Sequence, residues 1–327
     1  MSGVCISHKE DVDGICSAAV VKAAFDISKV ILVDYANLIS KLEKTAAMLD
    51  NIEQLFICDL GLSKKNEQKF AELLHRIVSA GTEVIYIDHH DISKETLHTL
   101  KKADVTLIRT IEECTSTQAY SKYKKKLPEH AAFLAAMGAL TDYMENKPLA
   151  SAIVSRFDRQ FLMLESTALS YMISANQHDD AFLIKIVETL SKMRYPHDIK
   201  GGFEIAEKFA KKVANAVESI KESVVKLDNI AYAPSTVELS SSMVVNFVLG
   251  SSGKPVAMVY KLKDDIKSYV LSIRASADSK VHLGRLTNEI ASELGGSGGG
   301  HDRACGAVIP KANLQKFIET LNKKINC

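Results

Sequence analysis

Residues 84–91 read VIYIDHHD, an apolar and β-branched run that ends in one acid and two adjacent histidines. The run predicts a buried strand, because β-branched and aromatic residues pack well on a pleated surface. A carboxylate and two imidazole rings at the rim of a core are costly unless something compensates them. The rest of the chain indicates what that compensation is.

Four more short apolar runs in the first half of the chain resemble this one. They are VCIS at 4–7, VILVDY at 30–35, LFICDL at 55–60 and VTLIR at 105–109. Helical patterns at 17–25, 38–49 and 65–81 separate them, and Gly81 is a predicted helix C-cap. This alternation predicts an α/β fold with a doubly wound, mostly parallel sheet covered on both faces.

The second half of the chain predicts a helical connector and a smaller α/β domain. Residues 128–228 have helical patterns, and apolar runs at 243–250, 255–262 and 268–276 predict strands. The polar stretch around 231–241 and the glycine-rich GGSGGGH at 295–301 are predicted as connecting segments. We therefore predict a catalytic domain over 1–195, a helical connector over 196–229 and a second domain over 230–327.

Composition restricts the classes of protein and of partner. A net charge of +1 gives no overall attraction to nucleic acid or membrane, so an anionic ligand needs a local site. The six cysteines include no CxxC pair, which argues against a zinc knuckle or a disulfide framework and fits a reducing cytosol. Early charges preclude a signal-peptide core, and the run AAFLAAMGAL at 131–140 is too short to span a bilayer. We therefore expect a cytoplasmic protein without membrane association; its oligomeric state stays open.

Acids and histidines recur where the predicted parallel strands end, which is where such sheets bind ligands. The set is His8, Asp11, Asp13, Asp59, Asp88, His89, His90 and, after an apolar helix, Asp142. Left empty, a rim of like charges would raise its own pKa values and destabilise the fold. Divalent cations resolve that conflict, and mixed carboxylate and imidazole ligands suit manganese better than calcium. Two such ions could activate a water and hold a phosphoryl group.

Simpler interpretations exist for each residue by itself. Asp11 and Asp13 could cap the first helix, Asp59 could cap a helix starting at Ser63, and Asp142 could terminate its helix. TSTQ at 115–118 could also cap a helix, with Ser116 or Thr117 touching a phosphate. Recurrence at successive strand ends favours the metal site.

These motifs resemble the DHH phosphoesterase superfamily, named for a triplet like Asp88-His89-His90. SHKEDVDGICSAA, FICDLG, YIDHHD and GALTDY look like its four ordered motifs. GGSGGGHDRACGAVI, preceded by VLSIRAS, is similar to the DHH-associated domain of RecJ-like exonucleases. The two-domain layout looks most like that of archaeal RecJ-like nucleases.

The resemblance implies two divalent cations, with Mn²⁺ favoured over Mg²⁺ or Co²⁺. His8, Asp11 and Asp59 would hold one ion. Asp13, Asp59, His89 and Asp142 would hold the other ion. His90 would lie beside the scissile phosphate, and Asp88 would orient a histidine ring.

The resemblance also places substrate contacts in the second domain, across a cleft between the domains. The implied residues are Arg274, Ser276, Gly299, Gly300, His301 and, with less support, Arg303. Glycines let backbone N–H groups approach an anion, and nearby cations complete a phosphate site. A flexible linker is the alternative interpretation of GGSGGGH.

The primary functional hypothesis is a manganese-dependent exonuclease on single-stranded DNA or RNA, working through a metal-activated water. Short oligonucleotides, cyclic dinucleotides and pyrophosphate are alternative substrates. A non-catalytic nucleic-acid-binding replication scaffold is the alternative from another class, and replication or repair proteins would then be partners.

Overall fold

The computed structural model describes residues 3–47, 52–300 and 302–325. The chain forms two compact units, Met1–Phe209 and Ala210–Cys327. Each unit contains one β-sheet with helices packed on it.

The first unit is built on a five-stranded parallel sheet. Its strands are β1 (Gly3–His8), β2 (Ile27–Val33), β3 (Gln54–Cys58), β4 (Glu83–Asp88) and β5 (Thr106–Arg109), in the order β2-β1-β3-β4-β5. All neighbouring pairs are parallel. The predicted parallel α/β fold is therefore confirmed.

Helices lie along the first unit between and after these strands. They are α1 (Val12–Ala24), α2 (Leu38–Ala46), α3 (Lys64–Ser79), α4 (Lys94–Lys102), α5 (Thr115–Tyr123), α6 (Ala131–Thr141), α7 (Pro148–Val154), α8 (Arg159–Ala175), α9 (Asp180–Ser191) and α10 (Gly202–Ser223), of which α10 continues into the second unit. The left-handed Gly81 lies just beyond the end of α3, as its predicted capping role requires.

Alternate residues of each strand enter two separate cores. On β4, Ile85 and Ile87 pack with α1, α6 and α8, whereas Val84 and Tyr86 pack with α2, α3 and α4. Because both faces are covered, the interior of β4 is apolar throughout rather than alternating. The edge strand β2 differs, since it carries the exposed Ser28 and Lys29 near its start.

The second unit contains a six-stranded mixed sheet. Its strands are β6 (Val225–Lys226), β7 (Ile230–Pro234), β8 (Val256–Lys263), β9 (Ser268–Ala275), β10 (Ser297–Gly300) and β11 (Ala304–Pro310), in the order β10-β11-β9-β8-β7-β6. Only β7 and β8 pair in parallel. The helices α11 (Ser241–Ser252), α12 (Leu283–Glu293) and α13 (Leu314–Lys324) complete this unit.

Three local predictions in the second unit are wrong. MVVNFVLG at 243–250 is helix α11 rather than a strand, because the Ser240 hydroxyl caps its first turn and the left-handed Gly253 ends it. The stretch predicted as a connection at 231–241 begins with strand β7. Within the glycine-rich segment, residues 297–300 form strand β10, paired antiparallel with β11.

Among the described helices, none combines the length and the apolar composition needed to cross a bilayer.

Candidate metal centre

The carboxyl ends of three adjacent strands bring the predicted site residues of the first unit together. His8 is the last residue of β1, Asp59 follows β3, and Asp88 ends β4 directly before His89 and His90. Because β1, β3 and β4 are parallel neighbours, these residues share one edge of the sheet. Asp142 arrives separately, as the residue that follows α6.

His89 is common to two groups of potential ligand atoms. Its Nε2 atom lies 3.4 Å from Asp59 Oδ1 and 3.5 Å from Asp142 Oδ2. Ligand atoms of Asp13, His89 and Asp142 lie within 4.8 Å of one another, and so do those of Asp59, His89 and His90. Each group offers a mixture of carboxylate and imidazole donors that could hold a divalent cation.

His8 and Asp11 form a pair of their own at this edge. His8 Nε2 lies 3.3 Å from Asp11 Oδ2, and the His8 ring stacks on Tyr35 with 4.3 Å between centroids. Asp11 also caps α1, since the backbone N–H of Gly14 donates to its Oδ1 atom at 2.9 Å. The capping interpretation is thus correct for Asp11, and one of its oxygens still faces His8.

Asp13 is fixed by the N-terminus of α5. The backbone N–H groups of Thr115 and Ser116 donate to its two oxygens at 2.8 and 3.0 Å, and the Ser116 hydroxyl donates as well. A helix N-terminus favours negative charge. Ser116 and Thr117 are fully buried in the unit, so TSTQ supports a carboxylate here rather than presenting these hydroxyls at the surface.

Asp59 adopts an unusual backbone conformation. Its φ is +57°, a region that non-glycine residues rarely occupy outside turns and functional sites. Its carboxylate accepts a hydrogen bond from the Thr115 hydroxyl at 3.0 Å, whereas Ser63 is the residue before α3. The interpretation of Asp59 as a cap for that helix is therefore wrong.

Asp88 holds the ring and the backbone of His90. His90 Nδ1 lies 2.9 Å from Asp88 Oδ1, and the His90 N–H donates to Asp88 Oδ2 at 3.0 Å. The Arg109 guanidinium, at the end of β5, donates to the His90 carbonyl. His90 Nε2 lies 3.1 Å from the Tyr35 hydroxyl. His90 is therefore held on three sides.

The electrostatics of this edge reflect crowded carboxylates. Burial, followed by the charges of Asp11 and Asp13, raises the pKa of Asp59 well above its ordinary value. Burial and Asp13 raise the pKa of Asp142 to about 7. Burial lowers the pKa of His90, but the hydrogen bond and charge of Asp88 outweigh it, so that this pKa is raised overall.

These residues fit a divalent cation. Asp142 Oδ2 is buried and has no hydrogen-bond partner among the described residues, although it lies near His89. An unpaired buried oxygen and raised carboxyl pKa values are costs that a cation would remove. Of the six predicted ligands, Asp13, Asp59, His89 and Asp142 belong to the two groups of close ligand atoms, whereas His8 and Asp11 belong to neither group and pair with each other at the same edge of the sheet.

The candidate substrate residues of the second unit lie on or beside its sheet. Arg274 is half-buried on β9, and burial lowers the pKa of its guanidinium. Ser276 follows β9, and its N–H donates to the Pro255 carbonyl at 2.8 Å. Gly299 and Gly300 end β10, Arg303 is exposed before β11, and His301 lies outside the described residues.

Two glycines are required by close packing. A Cβ atom on Gly300 would lie 2.5 Å from the Ala304 carbonyl oxygen, and its φ is +141°. A Cβ atom on Gly61 would lie 2.7 Å from the His90 ring. Glycine therefore lets the β10 backbone pair tightly and leaves room for His90.

Sequence reasoning missed several residues that support the site. Tyr35 and Arg109 each follow or end a predicted parallel strand, which is the same signal that identified the acids. Thr115 lies in the TSTQ stretch predicted as a helix cap, but its contacts with Asp13 and Asp59 could not be predicted, and neither could the close approach of Gly138 to Asp13, because these contacts link distant segments.

A parallel sheet with carboxylates and imidazoles at its carboxyl edge defines an α/β protein with a candidate metal centre. Family models identify it further: the DHH family N-terminal domain matches residues 3–139, and the DHHA1 domain matches residues 230–326. The chain therefore belongs to the DHH superfamily and carries a C-terminal DHHA1 domain, which confirms the resemblance.

Two curated relatives come from Methanocaldococcus jannaschii. Uncharacterized protein MJ0831 is 29% identical over 201 residues, covering 56% of this chain and 43% of the relative. The matched region thus spans less than half of that relative's length. Uncharacterized protein MJ0988 is 26% identical over 278 residues, covering 84% of this chain and 72% of the relative.

Solved structures share the fold at low sequence identity. The DHH domain of PF0399, a member of the s1p family of ribosomal proteins, has a TM-score of 0.71 at 14% identity, covering 100% of this chain and 87% of that chain. The pGpG-specific phosphodiesterase PggH of Vibrio cholerae has a TM-score of 0.64 at 12% identity, covering 100% of this chain and 99% of that chain.

Structures of RecJ and CDC45 also share this fold. RecJ of Thermus thermophilus, in complex with Mn²⁺, has a TM-score of 0.63 at 13% identity, covering 98% of this chain and 51% of that chain. CDC45 of Entamoeba histolytica has a TM-score of 0.64 at 12% identity, covering 98% of this chain and 95% of that chain. The chain has the DHH phosphoesterase fold.

Proposed function

We propose that this protein is a divalent-metal-dependent phosphodiesterase that hydrolyses single-stranded nucleic acid from an end. One observation carries the proposal: ligand atoms of Asp13, His89 and Asp142, from three distant segments, lie within 4.8 Å of one another. Asp59 extends this group through His89, at 3.4 Å. Carboxylates and imidazoles are brought together in this way to hold cations.

The proposed ligands form two sets joined by Asp59. Asp13, Asp59, His89 and Asp142 would hold one ion, and His8 and Asp11 would hold the other together with Asp59. The mixed oxygen and nitrogen donors favour Mn²⁺, with Mg²⁺ and Co²⁺ as alternatives. When bound, a pair of such ions supplies a nucleophile at neutral pH and stabilises charge on the phosphoryl oxygens.

His90 has the properties of a hydrogen-bond donor to the scissile phosphate. Asp88 fixes its Nδ1 side, which leaves Nε2 to face outward toward Tyr35. Burial lowers the pKa of His90, but the hydrogen bond and charge of Asp88 outweigh it and favour the protonated ring. A donor held in place before the reaction stabilises developing negative charge without reorganisation.

The second unit would bind the substrate backbone. Arg274, Ser276, Gly299, Gly300, His301 and Arg303 are the proposed contacts. In the register of the sheet, Gly299 pairs with Gly306 and Gly306 with Ser272, so one row across three strands carries almost no side-chain bulk. A cation beside such a row suits a phosphate.

A second candidate is hydrolysis of short oligonucleotides. The fold likeness to the pGpG-specific phosphodiesterase covers nearly all of both chains, whereas the likeness to RecJ covers 51% of RecJ. This likeness to a protein named for a short substrate is the observation that favours the second candidate. The likeness to CDC45 supports the non-catalytic scaffold as a third outcome of the test.

The test measures hydrolysis of a defined substrate panel. Purified protein is incubated with Mn²⁺ and end-labelled single-stranded DNA, RNA, a dinucleotide, a cyclic dinucleotide and pyrophosphate. Asp142→Asn should lower activity more than about 100-fold. Asp104→Asn is the matched control, because Asp104 is exposed, precedes β5 at the other end of the sheet, and has a φ of +57°, which asparagine tolerates.

The outcomes separate the candidates. A ladder from one end of a long strand supports the exonuclease, and cleavage of dinucleotides alone supports the second candidate. Undiminished binding of single strands without hydrolysis of any substrate would favour the scaffold and contradict the proposal.

A further inference from the structure

A small pocket in the first unit is lined by the residues on either side of the proposed metal ligand Asp142. Thr141 and Tyr143, the two neighbours of Asp142, both line it, together with residues of α8 that include Met163 and Ser166. Consecutive Cα atoms are about 3.8 Å apart, so the pocket wall begins one residue from a proposed ligand.

Tyr143 presents its aromatic ring to solvent. Its side chain is 86% exposed, although the residue carries a large apolar ring. Its φ of +58° follows from its place just after the C-cap of α6, where the Met144 N–H donates to the Ala139 carbonyl at 2.9 Å and closes the helix end. This helix end fixes the backbone of Tyr143 and leaves its ring at the rim of the pocket.

Ser166 supplies a second and independent observation. It is 1% exposed, it lines the same pocket, and its hydroxyl has no hydrogen-bond partner among the described residues. A buried polar group without a partner costs free energy, and most such groups in proteins are satisfied. A ligand with a polar edge would satisfy this hydroxyl.

The size and lining of the pocket match a planar heterocycle. Its volume is about 240 Å³, below the range of roughly 300–1,000 Å³ that drug-sized ligands occupy. Leu140 and Met163 give it apolar walls, and Thr167 and Ser170 add hydroxyl groups. An apolar face with polar edges is what a nucleobase presents.

We infer that this pocket receives the nucleobase next to the scissile phosphate, with the base stacked on Tyr143 and its edge hydrogen-bonded by Ser166. The inference rests on the proposed function, because it takes the substrate to be a nucleotide chain. Stacking is tolerant of sequence, since every base has an aromatic face. The pocket therefore selects for the presence of a base, and Ser166 modulates which base is preferred.

The experiment compares substrates with and without that base. Binding of a fluorescent dinucleotide with a non-hydrolysable methylenephosphonate linkage is measured in Mn²⁺, alongside analogues in which either base is replaced by hydrogen. Tyr143→Ala should weaken binding of the normal dinucleotide about 10-fold, within the range for loss of one stacked base. Tyr143→Ala should leave unchanged the binding of the analogue that lacks the base stacked on Tyr143. Tyr143→Phe should keep the wild-type preference for the normal dinucleotide over that analogue.

A matched control comes from the same helix. Leu164 is 54% exposed on α8 and does not line the pocket, so Leu164→Ala should bind both ligands like the wild type. Ser166→Ala should change the ranking of the four bases without removing the preference for a base. Equal effects of Tyr143→Ala on normal and abasic ligands, or no effect on either, would overturn the inference.

Hydrolysis of bis(p-nitrophenyl) phosphate, which lacks a nucleobase, is measured in parallel. Activity there with no base preference in binding would refute the pocket and keep the phosphodiesterase. A base preference without any hydrolysis would keep the pocket and refute the phosphodiesterase.

Discussion

Gly138 is the position where one added methyl group should damage the metal centre most directly. It lies in the buried helix α6, and a Cβ atom there would lie 2.1 Å from Ser116 Oγ and 2.5 Å from Asp13 Oδ1. Ordinary van der Waals contact begins at 3.4 Å. Gly138→Ala must therefore displace the Ser116 hydroxyl by more than 1 Å and the Asp13 carboxylate by nearly 1 Å.

Neither the Ser116 hydroxyl nor the Asp13 carboxylate can move away without weakening the hydrogen bonds between them. Asp13 Oδ1 accepts the Ser116 N–H at 3.0 Å, and the Ser116 hydroxyl donates to the same oxygen. Overpacking a core costs about 1–3 kcal/mol. The higher helix propensity of alanine than of glycine offsets at most roughly 1 kcal/mol of this cost. We expect a net loss of about 1–2 kcal/mol in the free energy of unfolding.

The rate of hydrolysis by Gly138→Ala should fall strongly even under conditions where the variant remains folded. A misplacement of about 1 Å in a catalytic group can cost roughly 100-fold in rate. The assay is Mn²⁺-dependent hydrolysis at a temperature where denaturant unfolding shows the variant to be folded. Ser116→Ala added to Gly138→Ala removes one of the two close contacts and should restore part of the stability.

Gly250→Ala is the matched control. Gly250 lies on α11, and nothing lies within 4 Å of a Cβ atom built there. This variant should keep full activity and gain about 0.5–1 kcal/mol of stability. If Gly138→Ala matched the wild type in both activity and stability, the packing of α6 against Asp13 would be refuted.

Three further predictions address the cations, pH and the second unit. Mn²⁺ should raise the melting temperature of the wild type by several degrees, since occupancy at 100 times Kd contributes about 2.7 kcal/mol, and calorimetry should show this shift lost in Asp142→Asn. Glu67 accepts hydrogen bonds from the N–H and hydroxyl of Ser93 and the hydroxyl of Thr96 at the start of α4, and these bonds outweigh burial and lower its pKa from 4.5. The stabilisation from ionised Glu67 is therefore fully present above about pH 4.5 and is lost as the pH falls through the lower pKa of the folded state. Urea unfolding should show that Glu67→Gln lowers the free energy of unfolding by about 1–2 kcal/mol at pH 7 and by progressively less in acid. A difference between variant and wild type that stays constant with pH would contradict this. Gly300→Ala should destabilise the second unit by about 1–3 kcal/mol, because its Cβ would meet the Ala304 carbonyl oxygen at 2.5 Å, and protease resistance equal to the wild type would count against that packing.

The local sequence signals succeeded where one element dominates and failed where context decides. VIYID at 84–88 is confirmed as the buried strand β4, because continuous apolar residues suit a sheet covered on both faces. MVVNFVLG looked equally β-rich but is helical. Val244 and Val248 are four residues apart on one buried helix face, and the caps at both ends outweigh the β-branched composition.

The parallel sheet and the acids and histidines at its carboxyl edge could be predicted from the amino-acid sequence, because strand ends and their side chains are local features. The way those groups are held depends on tertiary contacts that no local pattern indicates. Thr115 supports both Asp13 and Asp59, and Gly138 leaves the space that Asp13 occupies. These contacts join segments that are about 50 to more than 100 residues apart, and distances between them depend on how the helices pack over the sheet.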